Sequence, residues 1–377
     1  MLAAIVAFAC GAIMLVAVGA SPIDGFRELV SGAFGGGDQL AQTANRATPL
    51  LLVGAGIAVA FRASVVNIGG EGQIIAGALL AAATAQAVPD LPSILLIPVV
   101  LVAGIVGGGI WGAIPGALKA YASVNEILST IMMNLVAIQV MNYLLRGPMI
   151  DPFEVENGTR IPQTERLSEN AHLPILVDGT RLHLGVLIAV IAAIAAYVIL
   201  WRTPLGFRLR AVGHSPEAAR AAGIPVKRSV VSALAISGAL AGLAGAILVF
   251  GSEAHRMGTD GSSAGFTGSA GFNGIVAALF GALHPLWTIP SSFLFGGLLT
   301  GATQLQRALQ VPSALAIALN GIVVVFVVSS ERVRDRINSV MNARREFDET
   351  PSATPDSAHP ADDTDGAAPL EAGGASP

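Results

Sequence analysis

The sequence predicts an all-α, polytopic membrane protein of about ten transmembrane helices. Three observations carry that reading. The apolar residues fall into blocks of about 18 to 25, long enough to cross a bilayer. The chain is 53% hydrophobic and only 12% charged, whereas about a quarter of the residues of a soluble protein are charged. It also has 44 glycines, many inside apolar blocks, where small residues let helix backbones approach closely.

The first block is residues 2–20. Its first base is Arg27, so it lacks the basic start of a signal peptide and reads as a retained helix. Residues 21–46 are polar and broken by Pro22 and Gly35–Gly37. Block two runs from about Pro49 to Phe61 and ends at Arg62. Block three opens at Asn67-Ile-Gly-Gly-Glu-Gly-Gln73 and runs to about Ala87. Block four, about Ile94 to Ala117, closes on Lys119 and carries Gly104, Gly107, Gly108 and Gly112. Block five opens at Ser123-Val-Asn-Glu126, a capping-box spacing, and reaches Leu145. Block six is about Leu184 to Trp201 and block seven about Val230 to Phe250. Residues 251–272 are rich in glycine and serine. Blocks eight (about Asn273–Leu283), nine (about Leu286–Leu305) and ten (about Ser313–Val328) complete the membrane domain, residues 1–330. Block eight is short enough for a half-crossing.

Charge fixes an orientation. Residues 202–228 hold six bases and one acid, and bases mark cytoplasmic loops. Residues 146–183 hold four bases and six acids and read as extracytoplasmic. Arg62, Lys119 and the arginines after block ten fall on the basic side, so both termini are expected in the cytoplasm; Arg307 dissents. The net charge of -4 hides this pattern, because eight of the 25 acids lie after residue 345. That leaves 17 acids against 21 bases elsewhere. Residues 331–377 read as a cytoplasmic, mostly disordered acidic tail.

The basic island contains a helix with its own start and stop. Ser215 suits the N-cap, Pro216 the first helical position and Glu217 the first turn. Ala218 and Ala219 propagate it, Gly223 can take a left-handed C-cap, and Pro225 forbids resumption. So short a helix is marginal alone in water and needs a surface to lean on.

Several polar residues sit where hydrocarbon is expected. Glu71, among Asn67, Gln73 and three glycines, either faces a cavity or partner or lies in a first turn at the interface. Asn125 and Glu126 with Ser123 read as a gate or as a helix cap. Asn134 and Asn142 either glue helices or line a path. Phe272 and Asn273 open block eight after a glycine-rich loop, where transporters often hold substrate. His214 and His255 are isolated. The glycine breaks at Asn67–Gly72 and Gly271–Gly274 open crossings from opposite sides, which suggests an inverted repeat of two five-helix halves. Function classes fall away as well. Lone Cys10 excludes an internal disulfide. Lys119 and Lys227 are the only lysines, and neither sits in a P-loop. No metal spacing and no nucleophile–base pair is present, so neither catalysis, nor a metal, cofactor or nucleic-acid partner is expected.

These residues resemble a known family. Ser21-Pro-Ile-Asp-Gly-Phe-Arg27, Arg46-Ala-Thr-Pro-Leu50, Asn67–Gln73, Asn125–Met132, Thr203-Pro-Leu-Gly-Phe207, Gly213-His-Ser-Pro-Glu-Ala-Ala219 and Gly271-Phe-Asn-Gly-Ile275 are similar to permease subunits of ATP-binding cassette importers. The group covers simple sugars, branched-chain amino acids and nucleosides, and the nucleoside branch is nearest. The resemblance implies a bacterial plasma-membrane protein of about ten helices. It implies a second, similar permease, an ATPase with two nucleotide-binding modules and an extracytoplasmic substrate-binding lipoprotein. Gly213–Gly223 would be the coupling helix, and a purine nucleoside such as guanosine would pass near Asn67, Glu71, Gln73, Asn134, Phe272 and Asn273. A permease for a simple sugar such as ribose, or a proton-coupled nucleoside transporter using Glu71, are the alternatives.

Overall fold

The computed structural model describes residues 2–17, 19–310 and Gly321. The tenth apolar block and the acidic tail lie outside the described residues. Fourteen α-helices follow one another: α1 (Leu2–Ala17), α2 (Pro22–Phe34), α3 (Gly37–Arg62), α4 (Gly70–Ala87), α5 (Ser93–Ala122), α6 (Glu126–Arg146), α7 (Pro152–Glu156), α8 (Gly185–Arg202), α9 (Pro204–His214), α10 (Pro216–Ala221), α11 (Val226–Phe250), α12 (Ser263–Thr267), α13 (Ala270–Phe280) and α14 (Thr288–Leu309). Among the described residues the only β pairing is two isolated bridges, Gln163 with Gly258 and Ile175 with His183. Among the described residues the protein is helical with several candidate spans, as a polytopic membrane protein is. Five helices, α3, α5, α6, α8 and α11, are long and apolar enough to cross a membrane, and the bent pair of α1 and α2 would make a sixth.

The third helix departs from the sequence reading. It begins at Gly37, not near Pro49, and keeps Pro49 inside it. Its first turns carry Asp38, Gln42, Asn45 and Arg46, so hydropathy does not register them. The preceding stretch, expected to be broken, is the helix α2: Ser21 caps it and Pro22 takes the first position.

Burial sorts the spans into layers. In α3 and α11, 78% and 72% of the apolar stretch is buried, against 22% in α5 and 28% in both α6 and α8. Helix α4 is buried along most of its length, which is why it tolerates Glu71, Gln73 and Thr84. Glycines set the spacing of the centre. A Cβ on Gly77 of α4 would lie 2.3 Å from the Cα of Gly242 in α11. One on Gly108 of α5 would lie 2.2 Å from the carbonyl oxygen of Gly238. Here α4, α5 and α11 touch backbone to backbone, the packing that small residues permit between membrane helices.

The molecule has two dissimilar ends. At one, the Arg62 guanidinium reaches the Leu283 carbonyl, Ser64 donates to the Gly213 carbonyl, and Lys227 lies over the Tyr121 ring. At the other, the segment between α6 and α8 is strapped to residues 250–258: Thr164 and Leu167 bond the backbone of Met257 and His255, and Leu173 that of Phe250.

Candidate functional site

The centre of the molecule is a pair of helix starts set against each other. The chain leaves α3, runs without regular structure through residues 65–69, and restarts as α4 at Gly70. It leaves α11, passes the irregular segment 251–262 and the short α12, and restarts as α13 at Ala270. The two starts meet. A Cβ on Gly70 would lie 3.2 Å from the Cα of Gly271, and one on Gly271 would lie 2.4 Å from the backbone nitrogen of Glu71. Only glycine at 271 allows this approach.

Glu71 joins the two starts. Its side chain is 1% exposed. The Thr267 hydroxyl donates to one carboxylate oxygen, and the Phe272 amide donates to the other at 3.2 Å. Helix α13 has no side-chain cap of its own, so the carboxylate of α4 serves it and meets the positive end of its dipole. Glu71 lies in the first turn of α4, as one sequence reading had it, and faces a partner, as the other allowed; it is buried, and the partner is another helix that it caps.

The amides hold the preceding turn. Asn67 donates to Gln73 Oε1 at 2.9 Å and to Ser237 Oγ at 2.8 Å, and accepts from the Gly69 amide and Gln73 Nε2. Asn134 of α6 accepts from the Gly72 amide at 2.8 Å and donates to the Ile68 carbonyl at 2.9 Å. Three of these bonds serve backbone groups that the broken helix leaves open, at Ile68, Gly69 and Gly72, as buried polar groups require; the others tie the side chains to one another. Asn142, lower on α6, donates to the Gly261 carbonyl and accepts from Thr259; it is glue. Of the six expected path residues, Phe272 is 49% exposed and Asn273 is half-buried. The other four are buried inside this network.

The expected capping box at Ser123 is not formed. Asn125 caps α6, accepting from the Ile127 and Leu128 amides. Ser123 instead ends α5 in the left-handed conformation, φ +56°. The carboxylate of Glu126, which a box would turn back on Ser123, pairs with the Lys119 ammonium. An ammonium within reach outcompetes a backbone amide for the charge. His255, expected to be isolated, stacks on His172 at 3.4 Å. Distance in sequence concealed that pair.

The island folds as expected. Ser215 accepts from the Ala218 amide at 3.2 Å, with Pro216 and Glu217 in the first turn, and Gly223 takes φ +77°. Pro216, Glu217 and Ala218 are exposed; Ala219 alone in α10 is buried. The preceding helix is fixed to the end of α3. A Cβ on Gly213 would lie 2.1 Å from the Arg62 carbonyl oxygen. Beside this contact the Arg62 guanidinium lies over the Trp201 ring, 5.4 Å from its centre. The sequence reading placed Gly213 in the coupling segment but had Arg62 and Trp201 only as block ends, since no local pattern signals their proximity. It also missed Thr267 and Ser237, small hydroxyls in glycine-rich stretches.

Comparison with known proteins agrees with this picture. The family model described as branched-chain amino acid transport system / permease component matches residues 39–328. The guanosine ABC transporter permease protein NupP of Bacillus subtilis is 35% identical, over 89% of this chain and 93% of that one. The nucleoside ABC transporter permease protein NupB of Lactococcus lactis is 33% identical over 80% and 82%. The glucose ABC transporter permease protein TsgB13 of Haloferax volcanii is 34% identical over 88% and 86%. No solved structure matches the chain.

Proposed function

The chain belongs to the branched-chain amino acid transport system / permease component family, and from that premise we propose that it forms the membrane path of an ATP-driven nucleoside importer. A purine nucleoside such as guanosine is the favoured substrate, in keeping with two of its relatives. The ATP is hydrolysed by a separate subunit with two nucleotide-binding modules. A second, similar permease and an extracytoplasmic binding lipoprotein complete the assembly in a bacterial plasma membrane. About ten crossings, in two inverted halves of five, put both termini in the cytoplasm. Cysteine accessibility at the termini and at residues 146–183 checks that topology. The meeting of Gly70 with Gly271 supports the two halves, since both breaks supply a helix start to one centre.

The observation that carries the reading is the exposed, doubly capped helix α10. It presents Pro216, Glu217 and Ala218 outward, and through α9 it is anchored at Gly213 to the end of α3. A surface gripped there moves a central helix that is buried against α11 and α14. Substrate then passes the exposed Phe272 and the half-buried Asn273, while Asn67, Glu71, Gln73 and Asn134 keep the two helix starts in register; Asn125 and Glu126 hold the start of α6, and Ser123 the end of α5.

Glu217→Arg combined with Gly223→Pro should leave the protein inserted and stop uptake of labelled guanosine in cells carrying the whole importer. Normal uptake by that variant defeats the coupling role. A sugar substrate is the second reading, favoured by the Haloferax volcanii relative; competition of guanosine uptake by ribose and glucose separates the two.

A further inference from the structure

A cavity of about 560 Å³ opens at the end of the molecule that carries the segment between α6 and α8. Its walls are the first turns of α3, the end of α11, the start of α12–α13 and the middle of α14. The volume lies within the range of small-molecule sites. Four side chains give it chemical character: Asn45, His183, Phe266 and Thr267.

The Asn45 amide is oriented by the backbone. Its Nδ2 donates to the Arg181 carbonyl; the flipped amide would set two acceptors against each other. Oδ1 is then a buried acceptor with no partner among the described residues, which a solute donor reaches once the side chain turns toward the cavity that Asn45 lines. The His183 ring is also fixed. Nδ1 accepts from the Gly185 amide at 3.1 Å, so the proton sits on Nε2. Burial holds the ring neutral, its pKa lowered to about 4. No acceptor among the described residues takes the Nε2 proton. Phe266 adds an aromatic face, half-buried in the wall.

Three charged side chains also line the cavity. Arg181 pairs with Glu253 at 2.6 Å, both largely exposed. Arg46 donates to the Leu299 carbonyl and the Thr303 hydroxyl. Beside these charges the wall presents the Gln42 and Asn45 amides, the Ser252 hydroxyl, the His183 ring N–H and the Phe266 face. Amides, a ring N–H and an aromatic face suit a hydrogen-bonding heteroaromatic solute. At the inner wall, Thr267 donates to Glu71, so the cavity abuts the paired helix starts.

We propose that this cavity is the outer receiving site for the transported nucleoside, with Phe266 stacking on the base and Asn45 and His183 reading its edge. The proposal rests on the nucleoside reading above.

The test uses the complete importer. With Cys10→Ser the chain has no thiol, since Cys10 is its sole cysteine, and Ser252→Cys then puts one in the wall. A membrane-impermeant thiol reagent added outside should label it, and guanosine should slow labelling at least fivefold while glucose does not. Without Ser252→Cys, Asn45→Leu and Phe266→Ala should each raise the KM for guanosine about tenfold at unchanged membrane abundance. If guanosine is taken up but labelling fails or ignores it, the cavity is not the receiving site and the transport reading stands. If the unaltered importer takes up no guanosine, both fall together. Because labelling needs neither Asn45→Leu nor Phe266→Ala, poor insertion of those variants leaves the test decisive.

Discussion

Gly242→Ala tests whether backbone contact holds the centre together. The added methyl would lie 2.2 Å from the Gly104 carbonyl oxygen, 2.7 Å from the Gly108 Cα and 2.8 Å from the Gly108 nitrogen. All three are backbone atoms of α5, so no side chain can turn aside. Ordinary contact begins at 3.4 Å, so α5 and α11 must part by about 1.2 Å, or α5 must bend. Overpacking of that kind costs about 1–3 kcal/mol. A gap near 1 Å along the seam also forfeits up to about half of each dispersion contact it opens. A loss of about 2–3 kcal/mol is therefore expected. Gly109→Ala is the control. It lies one position along α5, and its methyl would meet the Ala235 carbonyl oxygen and the Ala239 Cβ, both at 3.5 Å. Both substitutions gain the same helix propensity, up to about 1 kcal/mol, so their difference isolates the clash. Titration of the purified chain from mild detergent into dodecyl sulfate, followed by ellipticity, gives the two stabilities. If they agree within about 0.5 kcal/mol, the three-helix seam is not what sets the core.

Two other outcomes follow from the same geometry. Glu71→Ala strands the Phe272 amide, while the Thr267 hydroxyl keeps the Ser263 carbonyl at 3.0 Å, and should cost about 1–3 kcal/mol; Glu71→Gln keeps an acceptor and should cost clearly less; equal costs in the same titration would refute the cap. His183 lies outside the spans, and burial lowers its pKa from 6.5 to about 4. The unfolded chain then binds a proton that the folded chain refuses. Stability is full above about pH 6.5 and falls as pH drops toward 4, by about 3 kcal/mol in all. A His183→Gln variant should lose that slope, and an unchanged slope would sink the assignment.

What the sequence determined is local or compositional. Apolar block length set the class, because a bilayer demands an internally bonded backbone of fixed span. The helix at Ser215–Gly223 was legible to its caps, because capping is decided within four residues and α10 leans on little else. The breaks before α4 and α13 were also legible, since glycine marks them directly. Tertiary structure decided what those breaks are for. Glu71 reads alone as an ion in hydrocarbon; only the arrival of Thr267 and Phe272 from the far half of the chain makes it a cap. Ser123 and Glu126 fit a box by spacing, yet Lys119, folded back from α5, took the carboxylate. Asn45 and His183 carry no motif, and they line one cavity only because α3 begins where the segment before α8 ends. Polar partners in a low-dielectric interior are chosen by proximity in space, and spacing along a chain records proximity only within a helical turn or two.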